Sequence, residues 1–183
     1  KINKIRIYRA NAKYLPFLDD TFDSVYSYGV FHHTTNPVKC LKEALRVLKK
    51  NKSIFLYLYS MHEENYFKFL GIKIEGFIRS LMNRFSINIQ IVICYLISPF
   101  VWFFFSIPAL IIYFLGFKNF AKKIPMNWGK HPLMLVRHLK DRLMAPINYR
   151  YKIKDLNSIL NEIGFRKISI KKNNHGLFIF CQK

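Results

Sequence analysis

His32 and His33 stand side by side at the end of the stretch LPFLDDTFDSVYSYGVFHH, Leu15 to His33. Asp19, Asp20 and Asp23 lie upstream, and an apolar, aromatic run leads from them to the histidines. Imidazole is the side chain best matched to moving a proton near neutral pH, so the pair suggests a general base or a group that orients an acceptor. His33 is the stronger candidate and His32 the weaker. The alternative is structural, with one ring capping the next helix and the other packing. Metal ligation is the poorer reading, because two adjacent histidines have no third ligand close in sequence.

The flanking elements must deliver that corner. Alternation in IRIYRANA predicts a short strand over Ile5–Ala12. After the Asp19-Asp20-Thr21 turn, Phe22–Val30 reads as a second strand, more buried than the first. TTNPVKCLKEALRVLKK then predicts a helix, with Thr35 or Asn36 as its cap and Pro37 in its first turn. Val38, Leu41, Leu45 and Leu48 would form its apolar face. Ser53–Ser60 reads as a third strand buried on both faces, and a strand–helix–strand order of this length implies a parallel crossover. At the other end, Ile153, Leu156, Ile159, Leu160 and Ile163 recur at helical spacing and Gly164 ends the helix. RKISIKK and GLFIFCQK follow as a hairpin around Asn173–Gly176.

These pieces in this order resemble the second half of class I S-adenosylmethionine-dependent methyltransferases of the broad type-11 kind. The resemblance rests on NAKYLPFLDDTFDSVYSYGVFHH, on the helix ending RVLKK, on SIFLYLY, and on the terminal IGF helix with its hairpin. It implies a Rossmann-like α/β sheet, of which this chain holds the C-terminal portion with an antiparallel hairpin at the edge. It also implies S-adenosylmethionine as cofactor. Asn11 stands where the family usually has Asp at the adenine edge, with Ala12 beside it. Tyr28 and Gly29 match positions lining the cofactor's methionine part, and His32–His33 match the corner facing methyl transfer. Asp23 reads as structural rather than catalytic.

Two departures accompany the resemblance. The seven glycines include no G-x-G, so the loop that brings backbone close to such a cofactor is absent, as are the family's first two strands. The expectation is an N-terminally truncated core. Asn51-Lys52 also replaces a Gly-Gly pair, a smaller change because Asn tolerates a left-handed turn.

The expected organisation is a partial core over 1–60, an apolar helical insertion over 61–150, and the closing helix and hairpin over 151–183. Within the insertion, Ile91–Phe117 runs 27 residues without a charge. That length permits one membrane span. One crossing would leave the two parts of the sheet on opposite sides of the bilayer, and 27 residues are too few for two full crossings. Pro99 and Pro108 are expected to interrupt a continuous helix. Arg79 and Arg84 before the run, with Lys118, Lys122 and Lys123 after it, suit a segment dipping into one leaflet of an anionic membrane. A cap folded on itself is the other reading. Either version favours a hydrophobic or lipid-like acceptor, with His131, Arg137, His138, Asp141 and Arg142 as candidates for its head group.

Composition narrows the setting. Thirty Lys and Arg against ten acids leave a net charge of +20, and the excess sits at the two ends of the chain. Such ends attract phosphate on nucleic acid or on lipid, though a Lys-, Asn- and Ile-rich bias accounts equally well for much of it. Cys40, Cys94 and Cys181 are odd in number and without a C-x-x-C, which fits a reducing, cytoplasmic setting, while the insertion adds the expectation of peripheral contact on the inner face of the membrane. Methyl transfer to a hydrophobic acceptor is the first functional expectation. Its rivals are a nucleic-acid methyltransferase or RNA-binding protein, disfavoured by the apolar run, and a non-enzymatic membrane-associated remnant.

Overall fold

The computed structural model describes residues 5–124, 132–173 and 176–183. In chain order its elements are β1 (Phe22–Tyr28), α1 (Pro37–Val47), β2 (Leu48–Tyr59), α2 (Tyr66–Met82), α3 (Ile87–Val101), α4 (Ile107–Phe114), α5 (Lys118–Ala121), α6 (Pro132–Leu143), α7 (Ile153–Ile163), β3 (Arg166–Lys172) and β4 (Gly176–Gln182). They fall into two compact units, Lys1–Ser60 with Tyr149–Lys183, and Met61–Asn148.

The first unit is an α/β layer with a four-stranded sheet in the order β1-β2-β4-β3. β1 and β2 are parallel, as the crossover through α1 requires, while β4 runs antiparallel to both β2 and β3. Ile54, Leu56 and Leu58 alternate onto one face of β2, beside Leu177, Ile179 and Cys181 of β4. Cys40, Leu41 and Ala44 of α1 and Leu156 and Leu160 of α7 close over the same face. The opposite face carries an aromatic ladder, in which Tyr26 stacks on Phe55 and Tyr28 on Tyr57, with Phe178 next in line. Tyr26, Tyr28 and Phe180 of that ladder are exposed.

Local chemistry explains the boundaries. The Asn36 side chain accepts a hydrogen bond from the Lys39 backbone N–H at 2.9 Å, capping α1 just ahead of Pro37. Asn51 takes a left-handed φ of 59°, and the β1–β2 register shifts between Phe22 and Ser24. Gly164 ends α7 at φ 107°.

Four expectations change. No strand forms over Ile5–Ala12; an isolated bridge joins Asn11 to Tyr14, and Ile5 and Ile7 are exposed. Alternation makes a segment amphipathic, but a strand also needs a neighbour to satisfy its backbone groups. Among the described residues β1 pairs only with β2. β1 itself is less buried than expected, because it is the edge strand. The inner face of α1 is Pro37, Cys40, Leu41, Ala44 and Val47, so Val38 points away from the core.

The fourth change lies in the second unit, where helix continues from Ile87 to Phe114 through both prolines. Pro99 has no N–H for the Tyr95 carbonyl, and the Ser98 hydroxyl donates to that carbonyl instead, at 3.1 Å. A π-type turn over Trp102–Ser106 then shifts the ladder to five-residue spacing, with the Ile107 N–H donating to the Trp102 carbonyl. Pro108 falls in the first turn after it, where proline is tolerated. Cys94 and Val101 pack against Met82 of α2 and Leu135, Val136 and Leu139 of α6. The buried Glu75 carboxylate pairs with Arg79 at 2.6 Å and also with Arg142.

Gly176 separates a packed site from an open one. A Cβ there would come within 2.5 Å of the Leu58 carbonyl and 2.7 Å of the Tyr57 ring, whereas nothing lies within 4 Å of a Cβ at helical Gly76. Gly176→Ala is expected to lower stability in urea unfolding by about 1–3 kcal/mol, and Gly76→Ala to raise it by about 0.5–1 kcal/mol.

Candidate active site

β1 and β2 run parallel, so their carboxyl ends open on the same edge of the sheet, which is where ligands sit in open α/β folds. Tyr28 closes β1 there, its ring half exposed and stacked 4.4 Å from Tyr57. Gly29 follows in a left-handed conformation, φ 72°, and its N–H donates to the Tyr57 carbonyl at 3.2 Å. No atom lies within 4 Å of where a Cβ would stand, so the backbone is open to close approach.

Val30 leads into a single 3₁₀ turn, Phe31–His33, that turns the chain toward α1. His32 is fully buried, and its ring lies 4.2 Å from that of His33 and 4.0 Å from that of Tyr59. Neither His32 ring nitrogen has a hydrogen-bond partner among the described residues. Its backbone carbonyl accepts from the Tyr149 N–H at 2.9 Å. Burial, then the neighbouring His33 and Arg150, hold the His32 pKa down at about 3. His32 is therefore neutral at physiological pH and a feeble base. Of the adjacent pair, His33 is the half-exposed one, and its ring meets Tyr59 edge-on at 5.6 Å.

Sequence spacing did not reveal Tyr57, Tyr59 and Arg150 as parts of this corner. The Arg150 guanidinium sits 5.2 Å from the centre of the Tyr59 ring and donates to the Ser60 carbonyl at 3.5 Å. Burial pushes the Tyr57 hydroxyl up to about 12. Alternating tyrosines in SIFLYLYS hinted at the first two. Arg150 is brought in from the far side of the insertion, which no local pattern signals.

Asn11 is exposed, and its side-chain oxygen accepts from the Lys13 N–H at 3.0 Å while its carbonyl accepts from Tyr14 at 2.8 Å. Its amide oxygen thus already serves its own turn. Ala12 packs against the core of the α/β unit. Asp23 pairs with Lys49 at 3.0 Å and Lys52 at 3.4 Å, which lowers its pKa and makes it a surface ion-pair residue. In the helical unit Arg142 is held by Glu75, while Arg137, His138 and Asp141 are exposed along α6; His131 lies outside the described residues. Among the described residues no cluster of three or more His, Cys, Asp or Glu could hold a metal ion.

A family model described as a methyltransferase domain matches residues 1–56, the stretch that builds β1, the His corner, α1 and most of β2. The front of the chain is thus similar to a methyltransferase domain. Within the family, S-adenosylmethionine is the methyl donor. The chain is 35 % identical over 54 residues to a probable tRNA methyltransferase 9B of Homo sapiens, covering 28 % of this chain and 12 % of that protein. It is 41 % identical over 49 residues to cycloartenol-C-24-methyltransferase 1 of Oryza sativa subsp. japonica, covering 27 % of this chain and 14 % of that protein. The chain thus matches about an eighth of the length of these curated relatives. A SAM-dependent methyltransferase structure from Thermotoga maritima, described as a possible histamine N-methyltransferase, aligns with a TM-score of 0.51 and 12 % identity. That alignment covers 98 % of this chain and 64 % of the other, and it establishes a shared fold.

At this edge the backbone of Gly29 is open to close approach, whereas Asn11 is engaged in its own turn and the sequence has no G-x-G.

His32 gives a titration with a defined sign. Its folded pKa lies below the unfolded value of 6.5, so the unfolded chain binds the extra proton first. The contribution of His32 to stability is complete above pH 6.5 and is lost as pH falls toward 3. Stability is expected to decline by up to about 1.4 kcal/mol per pH unit between pH 6 and 4.5. His32→Phe should flatten that slope, which urea titrations across this range would measure.

Proposed function

We propose that this chain is the acceptor-side part of an enzyme that transfers a methyl group from S-adenosylmethionine to a hydrophobic or lipid-like acceptor. The observation that carries this reading is the corner at the carboxyl ends of β1 and β2, where Tyr28, Gly29 and the His32–His33 turn meet Tyr57 and Tyr59. The donor, when bound, supplies an electrophilic methyl carbon whose bond to sulfur breaks as the acceptor's bond forms. His33 takes up the proton released by an oxygen or nitrogen acceptor. His32, neutral and packed between His33 and Tyr59, positions the His33 ring. Alignment of the acceptor provides most of the acceleration, since displacement at carbon needs the attacking atom in line with the leaving sulfur.

The missing glycine loop belongs to the same reading. The exposed aromatic ladder and the outer edge of β1 are surfaces that a further layer of polypeptide would cover, and such a layer would bring the donor's remaining contacts. Without it the 183 residues alone should show no measurable binding of the donor and no turnover.

A hydrophobic acceptor is favoured by the apolar helical unit and by the likeness to a sterol methyltransferase. A second reading, transfer to RNA, is favoured by the net charge of +20 and the likeness to a probable tRNA methyltransferase. The two are separated by incubating the enzyme, with its glycine-loop half, with tritiated donor and either total lipid or total tRNA. Label is expected in the organic phase, and a His33→Ala variant should lose about 10²–10⁴ in kcat with little change in donor affinity. Label confined to RNA would overturn the acceptor assignment, and label in neither would overturn the enzymatic reading.

A further inference from the structure

The helix from Ile87 to Phe114 is built the wrong way round for water. Its inward stripe carries Gln90, Cys94, Ser98 and Ser106 beside Val101 and Ala109, with Ser98 and Ser106 only 3 % and 1 % exposed. Its outward stripe runs at four-residue spacing through Val92, Leu96, Phe100 and Phe104, and continues past the π turn to Ile111 and Phe114. Phe100, Phe104 and Phe114 are 66 %, 63 % and 83 % exposed. A helix on a water-soluble surface shows the opposite arrangement, with apolar residues inward and polar residues outward. Small and hydroxyl residues against the protein with large apolar residues outside is the arrangement expected of a helix solvated by hydrocarbon. Contiguous apolar exposure on this scale also marks an interaction surface rather than ordinary scatter.

Charge selects the kind of surface. Between Glu75 and Asp141 the sequence has no acidic residue and eight basic ones. Lys118, Lys122 and Lys123 follow directly on the apolar helix, and Lys140 of α6 reaches the ring of Tyr95 at 4.9 Å. An apolar helix flanked in sequence by cations and by no nearby acid is complementary to lipid chains under anionic head groups.

The way the chain enters and leaves the unit decides between crossing and lying flat. Ser60 and Tyr151 form a parallel bridge, so the segment between them departs and returns at one place. Any crossing must then be matched by a second. Among the described residues one helix is long and apolar enough to cross, and α6, packed on α3, is 12 residues long and carries Arg137, Lys140, Asp141 and Arg142.

We propose that α3, the π turn and α4 form an in-plane anchor that seats the protein in one leaflet of an anionic bilayer without crossing it. The proposal rests on the helical unit alone and stands whether or not the chain takes part in methyl transfer.

Flotation of the full chain, with no methyl donor present, on vesicles of phosphatidylcholine with or without phosphatidylglycerol tests it. The protein is expected to float with both and more strongly with phosphatidylglycerol. Phe100→Glu with Phe104→Glu, both on the exposed stripe, should lower partitioning at least tenfold while leaving the far-ultraviolet circular dichroism unchanged. Lys118→Gln, Lys122→Gln and Lys123→Gln together should remove up to about a hundredfold, only on the anionic vesicles. Nitroxide-labelled lipid offers a check needing no variant: the amide signals of Leu96, Phe100 and Phe103 should broaden, and those of Leu135 and Leu139 should not. Failure to float on anionic vesicles, flotation undiminished by the two Phe substitutions, broadening of the α6 core signals, or a lipid-free oligomer that ignores vesicles would each overturn the proposal.

Discussion

The seam between Tyr59-Ser60 and Tyr149–Tyr151 is the contact on which the rest of the structure depends. The Tyr151 N–H donates to the Tyr59 carbonyl at 2.9 Å, Ser60 and Tyr151 form a bridge, and the Tyr149 N–H donates to the His32 carbonyl at 2.9 Å. These few bonds join residues about 90 to 120 positions apart. Their closure entropy must be met by what closure permits, namely the addition of α7, β3 and β4 to the sheet begun by β1 and β2. The buried leucines and isoleucines of β2 and β4 then meet α1 and α7 in one core. The same seam brings Arg150 to Tyr59 and completes the surroundings of His32.

From that seam follows a division of labour between the two units. The α/β unit holds a neutral, desolvated imidazole beside a more accessible one, so burial sets two chemically identical side chains in different surroundings. The helical unit holds its own buried charge, Glu75 between two arginines, which fixes α2 and α6 by directional bonds rather than by apolar packing alone. That frees the large apolar side chains of α3 and α4 to face outward. Two prolines are tolerated in one helix because a serine hydroxyl takes the carbonyl that Pro99 leaves, and Pro108 falls in the first turn after a π-type turn.

Much of the α/β unit was legible in the sequence because its signals are local. The Asn36 cap, the Pro37 start, the Gly164 stop and the hairpin all rest on residues within a few positions of one another. Where a feature depended on a distant partner the sequence was less informative. Ile5–Ala12 has a strand's alternation but no strand beside it, and β1 has a core strand's composition but an edge strand's exposure. The inward face of α1 was displaced from the expected one because the period alone does not say which of two adjacent stripes meets the sheet. At the site, Tyr28, Gly29, His32 and His33 fall at one end of β1 as neighbours in sequence should. Asn11 engages its own turn, and Arg150 could be found only in three dimensions.

A single sheet, interrupted in sequence by the helical unit, is closed at this seam. Native-state hydrogen exchange read at the Tyr149 and Tyr151 amides tests it most directly. Both amides should exchange as slowly as those of Leu56 and Leu58 in β2, because opening the seam separates the two halves of the core. Exchange at the rate of an unprotected loop, with β2 still protected, would contradict it.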